Sequence, residues 1–147
     1  GQIKKNYHQI IGHNARMDSL QAAIINLKLK VFDKEKSLRQ KVAKKYDNLL
    51  KEKKNIIQIP FIENFNESVY AQYTVRVKNR KQIVENLKKN KIPYNIFYPT
   101  PLYEQKAFLD KSYKLKNVEQ IVSEVLSIPY HPYLKDNQQK QISKCFD

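Results

Sequence analysis

Residues 69–90 read VYAQYTVRVKNRKQIVENLKKN. The first nine alternate. Val69, Ala71, Tyr73, Val75 and Val77 fall on one face of an extended chain, because successive side chains of a strand point to opposite sides. After Asn79 the period changes. Ile83, Val84 and Leu87 recur at three and four, the spacing of one helix face, and Asn79 with Gln82 three residues on has capping-box form. A strand running straight into an amphipathic helix predicts a mixed architecture in which the helix covers one face of a sheet.

Upstream, residues 18–54 hold neither proline nor glycine. Asp18 with Gln21 has capping-box spacing, and Leu20, Ala23, Ile24, Leu27 and Val31 begin an apolar stripe. Leu38, Val42, Tyr46, Leu49 and Leu50 continue it. The pattern predicts one long helix, or two nearly collinear ones meeting near Asp33, with an apolar part that packs on something else. Ile56–Ile59 reads as a short strand ahead of Pro60, and Glu63–Ser68 as a loop. Downstream, Ile92–Tyr98 reads as a strand ended by Pro99 and Pro101, and Glu104–Leu109 as a short helix. Asn117 is placed to cap a helix that turns Val118, Ile121, Val122, Val125 and Leu126 inward. Ile128–Leu134 reads as extended, and Asp136–Phe146 as a terminal helix. The expected fold class is α+β: a small sheet of about three strands with helices packed on one face and a long N-terminal helix.

Composition narrows the function. The chain has 147 residues, 41% of them hydrophobic, enough for one domain with a core. Its only glycines, Gly1 and Gly12, cannot supply a Rossmann fingerprint or a Walker loop. One cysteine, Cys145, makes neither an internal disulfide nor a cysteine zinc site, which points to a reducing, cytoplasmic setting. No apolar run approaches the roughly 18 residues of a membrane span. The net charge is +14, but 24 of the 28 basic residues are lysine and only Arg16, Arg39, Arg76 and Arg80 are arginine. Lysine, isoleucine and asparagine together make 52 of the 147 residues, a bias of composition as much as of charge. A reader of nucleic acid concentrates arginine among aromatics, so a solvated helix face explains most of these lysines. Two further readings remain open at this point: a basic nucleic-acid-binding module, and a helical interaction or scaffold domain using the 18–54 stripe.

Candidate chemistry is sparse. His8, His13 and His131 form no metal-ligand spacing. Cys145 beside Phe146 reads as a small buried hydrophobe. Two segments combine polar and aromatic groups. HQIIGHNARMD, residues 8–18, puts Asn14 and Arg16 just before a helix start, where backbone N–H groups can hold a phosphate. NIFYPTPLYEQKAF, residues 95–108, is a proline-stiffened loop after a strand, flanked by Tyr98 and Tyr103. A weaker third is IPYHPY, residues 128–133, with His131 between prolines.

These segments, in this order, resemble the DegT/StrS-type sugar-nucleotide aminotransferases, which use pyridoxal phosphate. Gly12–Ala23 (GHNARMDSLQAA) resembles the family's G-x-N-x-R-M-D-x-x-Q-A-A signature. Arg39 and Ala43–Tyr46 resemble its helix motif, Gln72-Tyr73-Thr74-Val75-Arg76 its Q-Y-x-x-R strand, Tyr98–Leu102 its Y-P-x-P-L loop, and Leu126–Pro132 its L-S-x-P-x-H-P segment. Tyr103 stands where the family usually has histidine, near the sugar. The resemblance implies the small C-terminal domain of an aspartate-aminotransferase-like fold: an interface loop over 1–17, a connecting helix over 18–54 and a small α+β domain over 55–147. It implies that the large cofactor domain, with its Schiff-base lysine, lies upstream and outside this chain, so that this part alone is inactive. It places Asn14 on the cofactor phosphate of a partner subunit in a homodimer. Arg16, Tyr98, Tyr103, His8 and His131 are its weaker candidates for the substrate. The implied reaction carries an amino group from glutamate to a nucleotide-linked keto sugar, with no membrane and no specific nucleic acid involved.

Overall fold

The computed structural model describes residues 2–4, 7–13, 15, 17–109 and 112–147, the side chains of residues 2–4, 7 and 8 excepted. Two compact units divide the chain, residues 1–34 and residues 35–147.

In the first unit, β1 (Gln2–Lys4) and β2 (Tyr7–His8) pair antiparallel, Gln2 opposite His8 and Lys4 opposite Tyr7. Helix α1 (Ser19–Leu29) follows. Its start is the one read from sequence: Asp18 is the N-cap, and its Oδ1 accepts the Gln21 N–H at 2.8 Å. That bond satisfies a donor the first turn would otherwise leave open. None of α1's residues is buried.

The helical stretch is two helices, as the second reading of the pattern expects, and they part at Lys30–Val31, two residues ahead of Asp33. The Val31 N–H bonds back to the Lys28 carbonyl at 3.1 Å, a three-residue closure that tightens the last turn of α1. Helix α2 (Phe32–Leu50) then carries the polar-with-one-stripe pattern to completion, burying Val42, Ala43, Tyr46 and Leu50.

The second unit is built on a three-stranded antiparallel sheet of order β3-β4-β5. Strand β3 is Ile56–Gln58 and β4 is Tyr73–Val77. β4 is shorter than the alternation from Val69 predicts. Tyr70 takes a positive φ of 45°, which breaks the extended chain before Tyr73, and its N–H is satisfied by Ser68 Oγ at 3.0 Å. From Tyr73 the alternation holds: Tyr73, Val75 and Val77 are fully buried, and Thr74 and Arg76 are half-buried. Helix α3 (Arg80–Lys89) follows with Ile83 and Leu87 inward. Asn79 is its N-cap, but its side chain makes no cap bond. Asn79 Nδ2 instead donates to Asn55 Oδ1 at 3.3 Å.

Two elements differ from the sequence reading. Residues 92–98 do not make a strand. Only Asn95 pairs, through reciprocal N–H···O bonds with Ser127 at 2.8 and 3.0 Å. Pro93 and Pro99 bracket it and have no N–H to offer a ladder. The segment 101–109 forms two short 3-10 turns, Leu102–Glu104 and Lys106–Phe108. Helix α4 (Lys116–Glu124) starts ahead of Asn117, with Leu115 as its N-cap. It stops at Glu124, so Val125 and Leu126 are not helical. They open strand β5 (Val125–Ile128), all four residues buried, paired along β4 from Arg76↔Val125 to Tyr73↔Ile128. Helix α5 (Asp136–Ser143) and a 3-10 turn over Lys144–Phe146 close the chain.

The core joins α2, β4, α3, β5 and α5 around Tyr46, Tyr73, Leu87, Leu126, Ile142 and Phe146. Burying each such side chain stabilises the fold by about 1.5–3 kcal/mol. Cys145 belongs to this core, and burial pushes its thiol up. The expected class is therefore observed: α+β with a three-stranded sheet. Among the described residues no helix is long and apolar enough to cross a membrane.

Candidate functional site

At the end of β5 three motif segments converge. The Asn95–Ser127 bridge ties the 93–98 stretch to β5, and β5 ties the 127–130 stretch to β4 and the residues just before it. Between them lies a cleft of about 220 Å³. Its polar groups are Gln72, Asn95 and Ser127, and its flat walls include Tyr94, Phe97 and Tyr130. Ser127 Oγ is taken up by Thr74 Oγ1 at 2.7 Å and Asn95 Oδ1 accepts the Ile96 N–H at 3.3 Å, which leaves the Gln72 carboxamide and the Asn95 Nδ2 as the open polar edges of the cleft.

Helix α2 braces both walls. Arg39 Nη1 donates to the Tyr70 carbonyl at 3.1 Å, next to Ala71 and Gln72, and its guanidinium lies over the Tyr130 ring, 5.5 Å from the centroid. Tyr130 returns a bond from its hydroxyl to the Arg39 carbonyl at 2.6 Å. Tyr46 Oη donates to the Pro129 carbonyl at 2.9 Å. Tyr46, Tyr70, Tyr73 and Tyr130 form a chain of ring contacts with centroids 5.0–6.2 Å apart. Burial pushes the Tyr130 phenol up to about 12, against the pull of Arg39, so it stays a neutral donor. Tyr46 and Tyr73 are raised further, in both cases chiefly by burial.

Arg76, the basic residue of the Q-Y-x-x-R strand, is not free for a ligand. Its Nη2 and Nε reach Glu124 Oε2 at 2.6 and 2.8 Å, and Nη1 donates to Gln58 at 3.0 Å. Hydrogen bonding from Gln120 lowers the Glu124 carboxyl most; burial opposes it, and the Arg76 hydrogen bond and charge add to the lowering, so the group is held below its ordinary range.

The residues singled out from sequence are placed as follows. Asn14 and Arg16 lie outside the described residues, as does the side chain of His8. Tyr98 follows Phe97 across a cis peptide bond and is 72% exposed, beside the cleft rather than in its lining. The half-buried Tyr103 turns toward α4. Its hydroxyl lies 3.3 Å from Glu119 Oε1 and its ring packs 6.1 Å from that of Tyr113. Its phenol is raised by desolvation and by the Glu119 charge, although the backbone N–H of Leu115 pulls the other way. His131 is exposed, and its Nδ1 accepts the Tyr133 N–H at 3.2 Å. It lines a separate cleft of about 450 Å³ with Asn90, Lys91 and Gln138. The sequence reading passed over Gln72, Asn95, Phe97 and Tyr130 as site residues. All four stand inside the segments quoted above, and two of them, Phe97 and Tyr130, are next to the chosen Tyr98 and His131.

Among the described residues no three His, Cys, Asp or Glu stand together to hold a metal ion.

The sequence profile of the DegT/DnrJ/EryC1/StrS aminotransferase family matches residues 1–147. The chain belongs to this family. The UDP-2-acetamido-2-deoxy-3-oxo-D-glucuronate aminotransferase of Pseudomonas aeruginosa is 46% identical over 134 residues, 91% of this chain and 37% of that protein. The crystal structure of a family member from Brucella abortus matches with a TM-score of 0.88 at 31% identity, over 99% of this chain and 39% of the other. NtdA of Bacillus subtilis, solved with bound cofactor PMP, matches with a TM-score of 0.83 at 26% identity, over 98% of this chain and 35% of the other. The chain thus spans well under half the length of the DegT-family proteins it matches.

A pyridoxal cofactor needs a lysine amine for its covalent attachment and an acidic partner for its ring nitrogen. The described residues do not make up such a site. Lys36, Lys45 and Lys53 are half-buried, and each pairs with a carboxylate, Glu67, Asp136 and Asp147 respectively. The other lysines whose side chains are described are exposed.

Proposed function

We propose that this chain is the C-terminal part of a pyridoxal-phosphate-dependent aminotransferase that transfers an amino group from glutamate to a nucleotide-linked keto sugar. The observation that carries the reading is the family match along residues 1–147 together with 46% identity to a relative named as the aminotransferase of a UDP-linked keto sugar acid. The amine chemistry belongs to the cofactor, and its covalent lysine belongs to a preceding domain of the same polypeptide. This part alone is then inactive.

Within that enzyme the residues of this chain bind and position. Asn14, a carboxamide donor close to the start of α1, suits a phosphate oxygen of the cofactor held by a partner subunit of a homodimer. Arg16 holds the same loop. Tyr98, exposed at the tip of the proline-stiffened segment, offers a ring and a hydroxyl to the sugar. Tyr103 contributes less directly, since its hydroxyl is already engaged by α4. His8 and His131 remain candidates for the rim. The enzyme works in the cytoplasm, where activated sugars and glutamate meet.

The test is the visible absorbance of the longer protein that contains this chain, loaded with pyridoxal phosphate. Glutamate should bleach the cofactor band, and a nucleotide-linked keto sugar should restore it. A protein that stays colourless with added cofactor would overturn the reading.

A further inference from the structure

We infer that the cleft between Gln72, Asn95, Phe97 and Tyr130 holds the nucleobase of the nucleotide-linked sugar. The inference rests on the function proposed above and names the part of the substrate that this chain recognises.

Size comes first. At about 220 Å³ the cleft is smaller than the roughly 300–1,000 Å³ of pockets that enclose drug-sized ligands, so it takes one ring system and not a whole nucleotide sugar. Charge comes second. The chain carries +14, yet among the described residues no Lys, Arg, Asp or Glu lines this cleft. A diphosphate or a sugar carboxylate would call for cations or a cluster of backbone N–H groups. The ligand part that fits here is neutral.

Shape and hydrogen bonding then choose among neutral parts. Tyr94, Phe97 and Tyr130, with Pro93 and Pro129, give flat apolar faces, and bases stack on aromatic faces of this kind. Gln72 and Asn95 give carboxamides, whose paired donor and acceptor match the edge of a base. No hydrogen bond among the described residues engages the Gln72 carboxamide. Asn95 is held by its backbone through both bonds to Ser127, and its Oδ1 accepts the Ile96 N–H at 3.3 Å, so its Nδ2 is presented as a donor from a fixed position.

The walls are also set in advance. Arg39 joins the Tyr70 carbonyl on one side to the Tyr130 ring on the other, and Tyr46 pins Pro129. A cleft whose walls are already in place loses less ordering entropy when it is filled.

The experiment is calorimetric titration of the intact, cofactor-loaded protein with uridine diphosphate, adenosine diphosphate and inorganic pyrophosphate, before and after Gln72→Ala and Asn95→Ala. Both side chains are exposed, so neither truncation removes core packing. Either nucleoside diphosphate should bind at least ten-fold more tightly than pyrophosphate. Each variant should lose most of that margin while pyrophosphate affinity stays the same. The preferred base, uracil or adenine, follows from which margin is larger. Equal affinity for all three titrants, or a margin untouched by both variants, overturns the assignment. Binding is read without turnover, so this result is independent of whether glutamate bleaches the cofactor. A protein that bleaches but shows no Gln72-dependent margin loses this inference alone, and one that never bleaches loses the function reading.

Discussion

Helices α1 and α2 are separated by two residues in the chain, and they use apolar side chains in opposite ways. α1, SLQAAIINLKL, is apolar around most of its circumference and buries nothing, with Leu20 72% and Leu27 64% exposed. α2 is rich in lysine and polar groups, yet its single stripe supplies Val42, Ala43, Tyr46 and Leu50 to the core. An amphipathic helix completes a core of its own, whereas a helix apolar on all sides needs cover on all sides. The contrast separates a helix that closes a core from one that leaves none of its residues buried.

The sharpest way to break that contrast is Tyr46→Ala. The side chain is fully buried, its ring lies 5.0 Å from that of Tyr73, and its hydroxyl holds Pro129. Removing a buried aromatic should cost about 3–5 kcal/mol in urea unfolding. Tyr46→Phe keeps the ring and should cost about 1 kcal/mol for the lost hydrogen bond. Less than 1 kcal/mol for the alanine variant would mean that α2 does not anchor the core.

Much of this arrangement is legible in the sequence, and the failures have physical reasons. β4 and α3 follow from a change of period at Asn79, and the start of α1 follows from Asp18. β5 is misread because Val125–Ile128 is buried on both faces of its strand, so no alternation survives, and a short apolar run after a helix continues the helix stripe equally well. Residues 92–98 look like a strand by composition, but of them only Asn95 pairs, between Pro93 and Pro99, which have no N–H to give a ladder. The cleft is missed for a similar reason. Gln72 and Tyr73 are neighbours in one motif, and the chain sends Tyr73 into the core and Gln72 to the cleft. Burial of a motif residue is not visible in its identity, so Tyr46, Tyr73 and Arg76 look as functional as Gln72 and Tyr130.

A smaller effect distinguishes α2 through its charge. Tyr73 donates to Asp47 Oδ1 at 2.5 Å, and burial raises the Asp47 carboxyl above its ordinary value of 3.8, partly offset by that bond. A raised folded-state value means that the folded protein prefers the proton. The contribution to stability is full below pH 3.8 and is lost as pH rises through the raised value. Asp47→Asn keeps an acceptor for Tyr73 without the charge. It should unfold at a higher urea concentration than the unmodified chain at pH 7 and at the same concentration at pH 3. An equal midpoint at pH 7 would mean that the hydrogen bond fully offsets the cost of burial.

The smallest effect belongs to α1. Leu27 is largely exposed, so Leu27→Ser removes no packing that the chain itself provides. It should change the unfolding free energy of the 147-residue chain by less than about 0.5 kcal/mol. In the longer enzyme proposed above, the same substitution should cost several times more, because an apolar helix requires cover. Sedimentation of the 147-residue chain sharpens the comparison. An uncovered apolar helix favours self-association, and the serine variant should weaken it. If Leu27→Ser instead destabilises the isolated chain as much as a core truncation does, while sedimentation shows a monomer, then α1 packs within the chain, and its contrast with α2 is one of degree only.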